Sequence, residues 1–107
     1  MKRLVRYKVK ADLVAENERL IREVYAELAW EKPRGLHYAT FRLDDGVSFV
    51  HVVSYDSDAA SQALTSLPAF KAFTAGIRQR CDELPVTVEL AEIGSYEFFG
   101  TRIATGA

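Results

Sequence analysis

Cysteine, tryptophan and methionine each occur once in 107 residues, histidine twice and proline three times. A lone cysteine excludes an internal disulfide framework and any multi-cysteine zinc site. No apolar run approaches the ~18 residues of a membrane span or has the flanks of a signal peptide, so no membrane partner is expected and the location reads as cytoplasmic. Neither sign of charge dominates: 14 Lys+Arg stand against 15 Asp+Glu. Without a basic excess to neutralise phosphates, nucleic acid is excluded as the main partner. Phosphate-cradling glycine loops, GxSxG elbows and HExxH helices are missing as well. Two histidines 14 residues apart, with no third ligand in view, imply no metal.

What is present suits one packed domain. Hydrophobic residues make up 49% of the chain, enough for an interior, and no repeat, low-complexity stretch or linker divides it. Residues 1–107 therefore read as a single domain, with 94–107 as a C-terminal extension or arm.

Val5, Tyr7 and Val9 alternate with Arg6, Lys8 and Lys10, the period of a strand with one apolar face. From Asp12 to Trp30, Leu13, Leu20, Ile21, Val24 and Leu28 form a helical stripe. Asp12 reads as its N-cap, Trp30 as a packing cap, and Pro33 and Gly35 end it. GLHYATFRL and VSFVHVVSY flank Asp44-Asp45-Gly46 as a hairpin. Asp56-Ser57-Asp58 offers caps to a short helix through Leu64. Ser66 and Pro68 restart a helix carrying Phe70, Phe73, Ile77 and Cys81 on one side, and Pro85 ends it. VTVEL, running on through Ile93, is the fourth strand, and SYEFF reads as an extension or a β-arm reaching a neighbour.

The order β-α-β-β-α-β is that of an α+β, ferredoxin-like fold: a four-stranded antiparallel sheet with two helices on one face. The other face is left open with Leu4, Val50 or Val52 on it, which points to a homodimer through that face. Val5, Val9, Leu20, Ile21, Val24, Leu28, Phe70, Phe73, Ile77, Val88 and Leu90 form the expected core.

The strand ending V-K, the acidic helix, FVHVVSY with its Asp-rich cap and LTSLPAFKAF together resemble the dimeric α+β barrel superfamily that contains the antibiotic biosynthesis monooxygenase-like domains. The resemblance spans residues 3–93 and implies a dimeric α+β barrel of an uncharacterised bacterial branch. Haem-degrading members place an asparagine on strand one and a histidine at the start of the second helix. The matching positions here fall near Val5 and Ala63, neither of which can ligate. No cofactor is implied. The resemblance suggests cofactor-independent monooxygenase-like or isomerase-like chemistry, with His51 accepting a proton and Tyr55 orienting the substrate.

The residues themselves point to a cleft between sheet and helices, lined by Tyr7, Phe49, His51, Tyr55, Phe70 and Phe73, for a small apolar or aromatic molecule. His51, mid-strand between Phe49 and Val53, is where burial keeps an imidazole neutral. His37 depends on the turn. A three-residue loop at Asp44-Asp45-Gly46 places it with Phe41 on the side of His51 as a further ligand-binding residue; a two-residue turn at Asp45-Gly46 places it opposite. The family pattern favours the three-residue loop. Arg6, Lys8 and Glu89 read as a mutually compensating polar lining of the dimer's barrel, and Arg78-Gln79-Arg80 as a solvated helix face. The competing function is a non-catalytic binding or assembly module with a filled core, and the volume beside His51 distinguishes the two.

Overall fold

The computed structural model describes residues 1–98. β1 (Lys2–Val9) leads through a single 3-10 turn (Ala11–Leu13) into α1 (Val14–Glu31), followed by β2 (Leu36–Arg42) and β3 (Ser48–Tyr55). Three short helices come next, α2 (Asp58–Thr65), α3 (Pro68–Ala75) and α4 (Ile77–Arg80), and β4 (Cys81–Leu90) closes the sheet. All pairings are antiparallel, in the order β2-β3-β1-β4, so β1 and β3 are central and β4 is an edge. This is the ferredoxin-like α+β arrangement, with the second helical layer broken into three pieces.

Local chemistry explains the breaks. Ser57 caps α2 by accepting from the Ala60 amide. Leu67 rather than Ser66 precedes α3; its freed Ala69 amide goes to the Glu27 carboxylate at 3.0 Å, which ties α3 to α1. Asp12 is not the cap of α1: it lies inside the 3-10 turn, and the first α-helical residue comes two positions later. The helix stops where Lys32 turns left-handed, φ 50°, before Pro33 is reached. Trp30 is 83% exposed on the outer face of α1 and caps nothing.

The hairpin corrects the expected register. The Leu43 amide bonds to the Ser48 carbonyl, so four residues make the turn, with Gly46 at φ 80°. The Asp45 carboxylate accepts from the amides of Val47 and Ser48, which holds Val47 in the turn instead of releasing it to the ladder. Thr40 then pairs with His51, Phe41 with Val50 and His37 with Ser54. An even loop has the parity of the two-residue turn, so His37 and Phe41 point away from His51.

β4 brings two further corrections. Cys81 opens the strand instead of closing a helix, and Pro85 sits inside it, where register shifts against β1 between Arg6 and Val9 accommodate a residue without an amide hydrogen. Opposite Leu4 and Arg6 stand Val88 and Val86, so the apolar face of β4 turns away from the helices. Val88 is 46% exposed and Leu90 shares its face; neither joins the core. Strict alternation identifies an apolar face without saying which layer it meets. Glu89 pairs with Arg3 on the helix side, so the acid across from Lys8 is Glu83. Residues 91–98 carry no helix or strand, and the remainder of the expected arm, from residue 99, lies outside the described residues.

The core between sheet and helices holds Val9, Leu20, Ile21, Val24, Phe49, Val53, Leu64 and Phe73, with Val5, Leu28, Phe70 and Ile77 packed against it. Phe73 meets Tyr7, His51 and Phe70, ring centroids 5.5–6.4 Å apart. Phe73→Ala is expected to cost about 3–5 kcal/mol in denaturant melts, since truncation removes these contacts and leaves a void. A loss below about 1 kcal/mol would show that the helical layer does not seat this ring.

Candidate functional site

β3 aims Phe49, His51, Val53 and Tyr55 at the helices, and its neighbours add Tyr7 from β1 and Tyr38 and Thr40 from β2. The imidazole, mid-strand in a central strand, is almost wholly shielded from water: His51 is 4% exposed. Burial of that kind is tolerated only if both ring nitrogens find partners. Nε2 lies 2.8 Å from the Tyr7 hydroxyl, and Nδ1 lies 2.8 Å from the Tyr38 hydroxyl and 3.1 Å from Thr40 Oγ1.

The pairing extends outward on both sides. Tyr7 accepts from Asn17 Nδ2 at 3.0 Å, and Asn17 Oδ1 accepts from Arg80 Nε at 3.0 Å. Arg80 also donates to the Phe73 carbonyl at 2.7 Å and stacks over the Phe73 ring, 5.1 Å from its centroid. On the other side Thr40 bonds to the Tyr25 hydroxyl at 2.8 Å, and the Tyr25 and Tyr38 rings stack at 5.3 Å. A continuous polar chain thus crosses the interior from α4 through α1, β1, β3 and β2 and back to α1.

Burial governs its titration. Desolvation lowers the His51 pKa to about 4, so the ring is neutral at pH 7. Burial also raises the Tyr7, Tyr38 and Tyr25 hydroxyls above the usual phenol range, with the Asn17 bond drawing Tyr7 partly back. Arg80 is pushed down by the same cause.

Beside this chain lies a cavity of about 230 Å³. Tyr7, Tyr38, His51 and Tyr55 form its sheet wall, Phe70, Phe73, Thr74 and Ile77 its helical wall, and Val5, Val53, Leu64 and Pro85 complete it. Thr74 turns its hydroxyl to the carbonyls of Phe70 and Lys71, which leaves that wall apolar. Five of the expected site residues, Tyr7, His51, Tyr55, Phe70 and Phe73, border this one space. Two do not. Phe49 is buried behind Tyr7, stacked on it at 5.6 Å, and serves as packing. His37 stands on the opposite sheet face with Nε2 4.0 Å from the Asp56 carboxylate, a consequence of the four-residue turn. Both ring nitrogens of His51 are occupied by hydroxyls, so the Tyr7 and Tyr38 hydroxyls stand between the imidazole and the cavity.

Asn17, Arg80, Tyr38, Thr40 and Tyr25 were not among the expected site residues. Asn17 had a visible signal, a polar residue on the Leu13, Leu20, Ile21, Val24 stripe. Arg80 had one too, three residues beyond Ile77 on the Phe73 side of the helical layer. Tyr38 and Thr40 depended on the register of the hairpin. Among the described residues no cluster of three or more metal-ligating side chains occurs, and no helix is long and apolar enough to cross a membrane.

The architecture recurs in solved structures. An antibiotic biosynthesis monooxygenase superimposes with a TM-score of 0.71 at 18% identity, over 87% of this chain and 98% of its own. A Mycobacterium tuberculosis protein gives 0.72 at 16% identity over 88% and 95% of the two chains. A Caulobacter crescentus protein described as a candidate antibiotic biosynthesis monooxygenase gives 0.71 at 20% identity over 87% and 89%. The chain has the antibiotic biosynthesis monooxygenase-like fold; at these identities the likeness speaks to fold alone. No protein-family model and no curated protein matches the sequence.

A buried neutral imidazole makes stability depend on pH with a definite sign. The folded pKa, about 4, lies below the ~6.5 of an exposed histidine, so the unfolded chain binds more protons between these values. The contribution of His51 is complete above about pH 6.5 and lost as pH falls toward 4, a change of about 2–3 kcal/mol. Denaturant melts at pH 7 and pH 5 should differ for the native sequence and differ clearly less for His51→Gln. Equal differences would place the acid sensitivity elsewhere.

Proposed function

We propose that this protein is a small-molecule-binding homodimer that takes an apolar or aromatic compound into the cavity between its sheet and helices and acts on it without a cofactor, in a monooxygenase-like or isomerase-like reaction. The observation that carries this reading is the cavity itself: about 230 Å³ of space directly against a buried histidine, where a binding or assembly module with a filled core needs none. Apolar walls supply affinity through the hydrophobic effect, and the hydroxyls of Tyr7, Tyr38 and Tyr55 supply orientation. A proton leaving such a compound passes to the Tyr7 oxygen as Tyr7 passes its own to His51 Nε2, which is unprotonated at pH 7. The likeness to an antibiotic biosynthesis monooxygenase agrees with this class of chemistry by analogy of fold.

Native mass spectrometry of protein taken directly from its host tests the binding. A co-purified small molecule is expected, and Val5→Phe, which fills the cavity from β1, should remove it without unfolding the chain. Protein that never carries a small molecule and binds no aromatic probe in solution would favour the assembly module. With a substrate identified by that route, His51→Gln should retain most of the binding and slow turnover by roughly 10²-fold.

The open face of the sheet supports the dimer. Leu4, Val50, Val52, Val86 and Val88 lie on it together, Val86 62% exposed, and Phe41 adds a half-exposed ring at the β2 edge. Arg6 interrupts this surface between Val50 and Val86, but the row Val52, Leu4 and Val88 is apolar across three strands, an exposure uncommon on a monomer. Sedimentation at micromolar concentration should give a dimer for the native sequence and a monomer for Val52→Glu. A compact monomer without the substitution would sink the proposed assembly.

A further inference from the structure

Resting on the ligand reading above, we propose that Arg80 and Asn17 are positioning residues that fix the proton of His51 on Nδ1, make the Tyr38 hydroxyl a hydrogen-bond donor to the cavity, and so select a neutral ligand that presents an acceptor oxygen, such as a ketone or aldehyde carbonyl, on an apolar frame.

The direction of each bond follows from the group before it. A guanidinium only donates, so the Asn17 atom facing Arg80 Nε at 3.0 Å is its oxygen, and the amide nitrogen must face Tyr7. Tyr7 therefore accepts from Asn17. Its own hydrogen has one partner within reach, His51 Nε2 at 2.8 Å. Reversing this bond would leave a phenolic hydrogen without an acceptor on a residue that is 2% exposed. With Nε2 accepting, the neutral ring carries its hydrogen on Nδ1 and donates to Tyr38 and Thr40. Every donor then points away from the guanidinium, the head-to-tail order in which successive bonds polarise one another.

Tyr38 is where this order reaches the cavity. Having accepted from Nδ1, its oxygen keeps a hydrogen. Thr40 is the hydroxyl beside it and shares that hydrogen, while also serving Tyr25 and Nδ1. Tyr38 is partly buried and borders the cavity, so a ligand oxygen there can take the hydrogen from the crowded Thr40, which keeps Tyr25 and Nδ1 as partners. A ligand offering a donor instead would meet another donor and leave both unpaired.

The tautomer is directly observable. With only two histidines, long-range nitrogen-proton NMR on uniformly labelled protein resolves both rings, and His37→Gln assigns them. The native sequence should show His51 protonated on Nδ1 with a bare Nε2. Asn17→Asp should invert it: an aspartate accepts from both Arg80 and Tyr7, turns the Tyr7 hydrogen toward itself, and obliges Nε2 to carry the proton. Arg80→Met, which frees the Asn17 amide to rotate, should give a mixture of the two forms. A native Nε2-protonated ring, or a tautomer indifferent to both substitutions, overturns the proposal.

The ligand class is tested with acetophenone and its near-isostere α-methylstyrene, which lacks the carbonyl oxygen. The native protein should bind acetophenone about 3- to 10-fold more tightly, the scale of one net hydrogen bond, and Tyr38→Phe should abolish the preference. Binding of both without preference overturns the donor assignment. Failure of both to bind refutes the ligand reading on which it rests, and the NMR result then decides the tautomer by itself.

Discussion

An imidazole in the middle of a buried sheet face obliges everything around it to supply partners. Leaving one ring nitrogen bare costs about 1–3 kcal/mol, as much as a large share of a small domain's margin. Here the obligation is met twice, by Tyr7 and by Tyr38 with Thr40, and each of those hydroxyls must be satisfied in turn. The demand is passed outward until it reaches groups that can end it: the Tyr25 hydroxyl on one side and the Arg80 guanidinium on the other. Five elements of structure are therefore tied to one ring by directional bonds. Apolar packing alone would not specify their relative placement so narrowly.

This dependence explains what the sequence made legible and what it did not. Alternation in β1 and β3 and the stripe of α1 are local patterns, and they located Tyr7, His51, Tyr55 and the Leu20 to Val24 core directly. The ferredoxin-like order followed from the succession of these patterns. The hairpin register was different, because it turns on the capture of two amides by the Asp45 carboxylate, an event of four residues that alternation does not encode. That single residue of register moved His37 to the open face and brought Thr40 and Tyr38 to His51. The orientation of β4 was hidden for a related reason: Val86 and Val88 declare an apolar face, and only the pairing with Arg6 and Leu4 says that it is the outer one.

Asn17 and Arg80 were hidden because each interrupts an apolar pattern. Polar residues at core-facing positions of a helix interrupt a pattern and are easily passed over as tolerated exceptions. Their spacing says otherwise. Asn17 continues the stripe of α1 through Leu13 and Ile21 at intervals of four, so it cannot leave the interior without rotating the helix. A buried amide with that constraint needs a donor and an acceptor close at hand, and it stands between a hydroxyl and a guanidinium.

The helix break at Gly76 leaves the Phe73 carbonyl to Arg80. In one continuous helix position 80 would share the face of Phe73 and Ile77, with the Phe73 carbonyl taken up by the helix's own ladder. The chain instead passes through Gly76 at φ −109°, restarts for one turn, and enters β4 at once. The guanidinium folds back over this break to the Phe73 carbonyl, which a longer helix would have used internally. A Cβ at position 76 would stand 3.0 Å from Arg80 Nη1, close enough that the guanidinium would have to shift by a few tenths of an ångström. Phe73, Thr74 and Ile77, on either side of the same break, line the cavity, so one local feature adjoins both the polar chain and the space beside it.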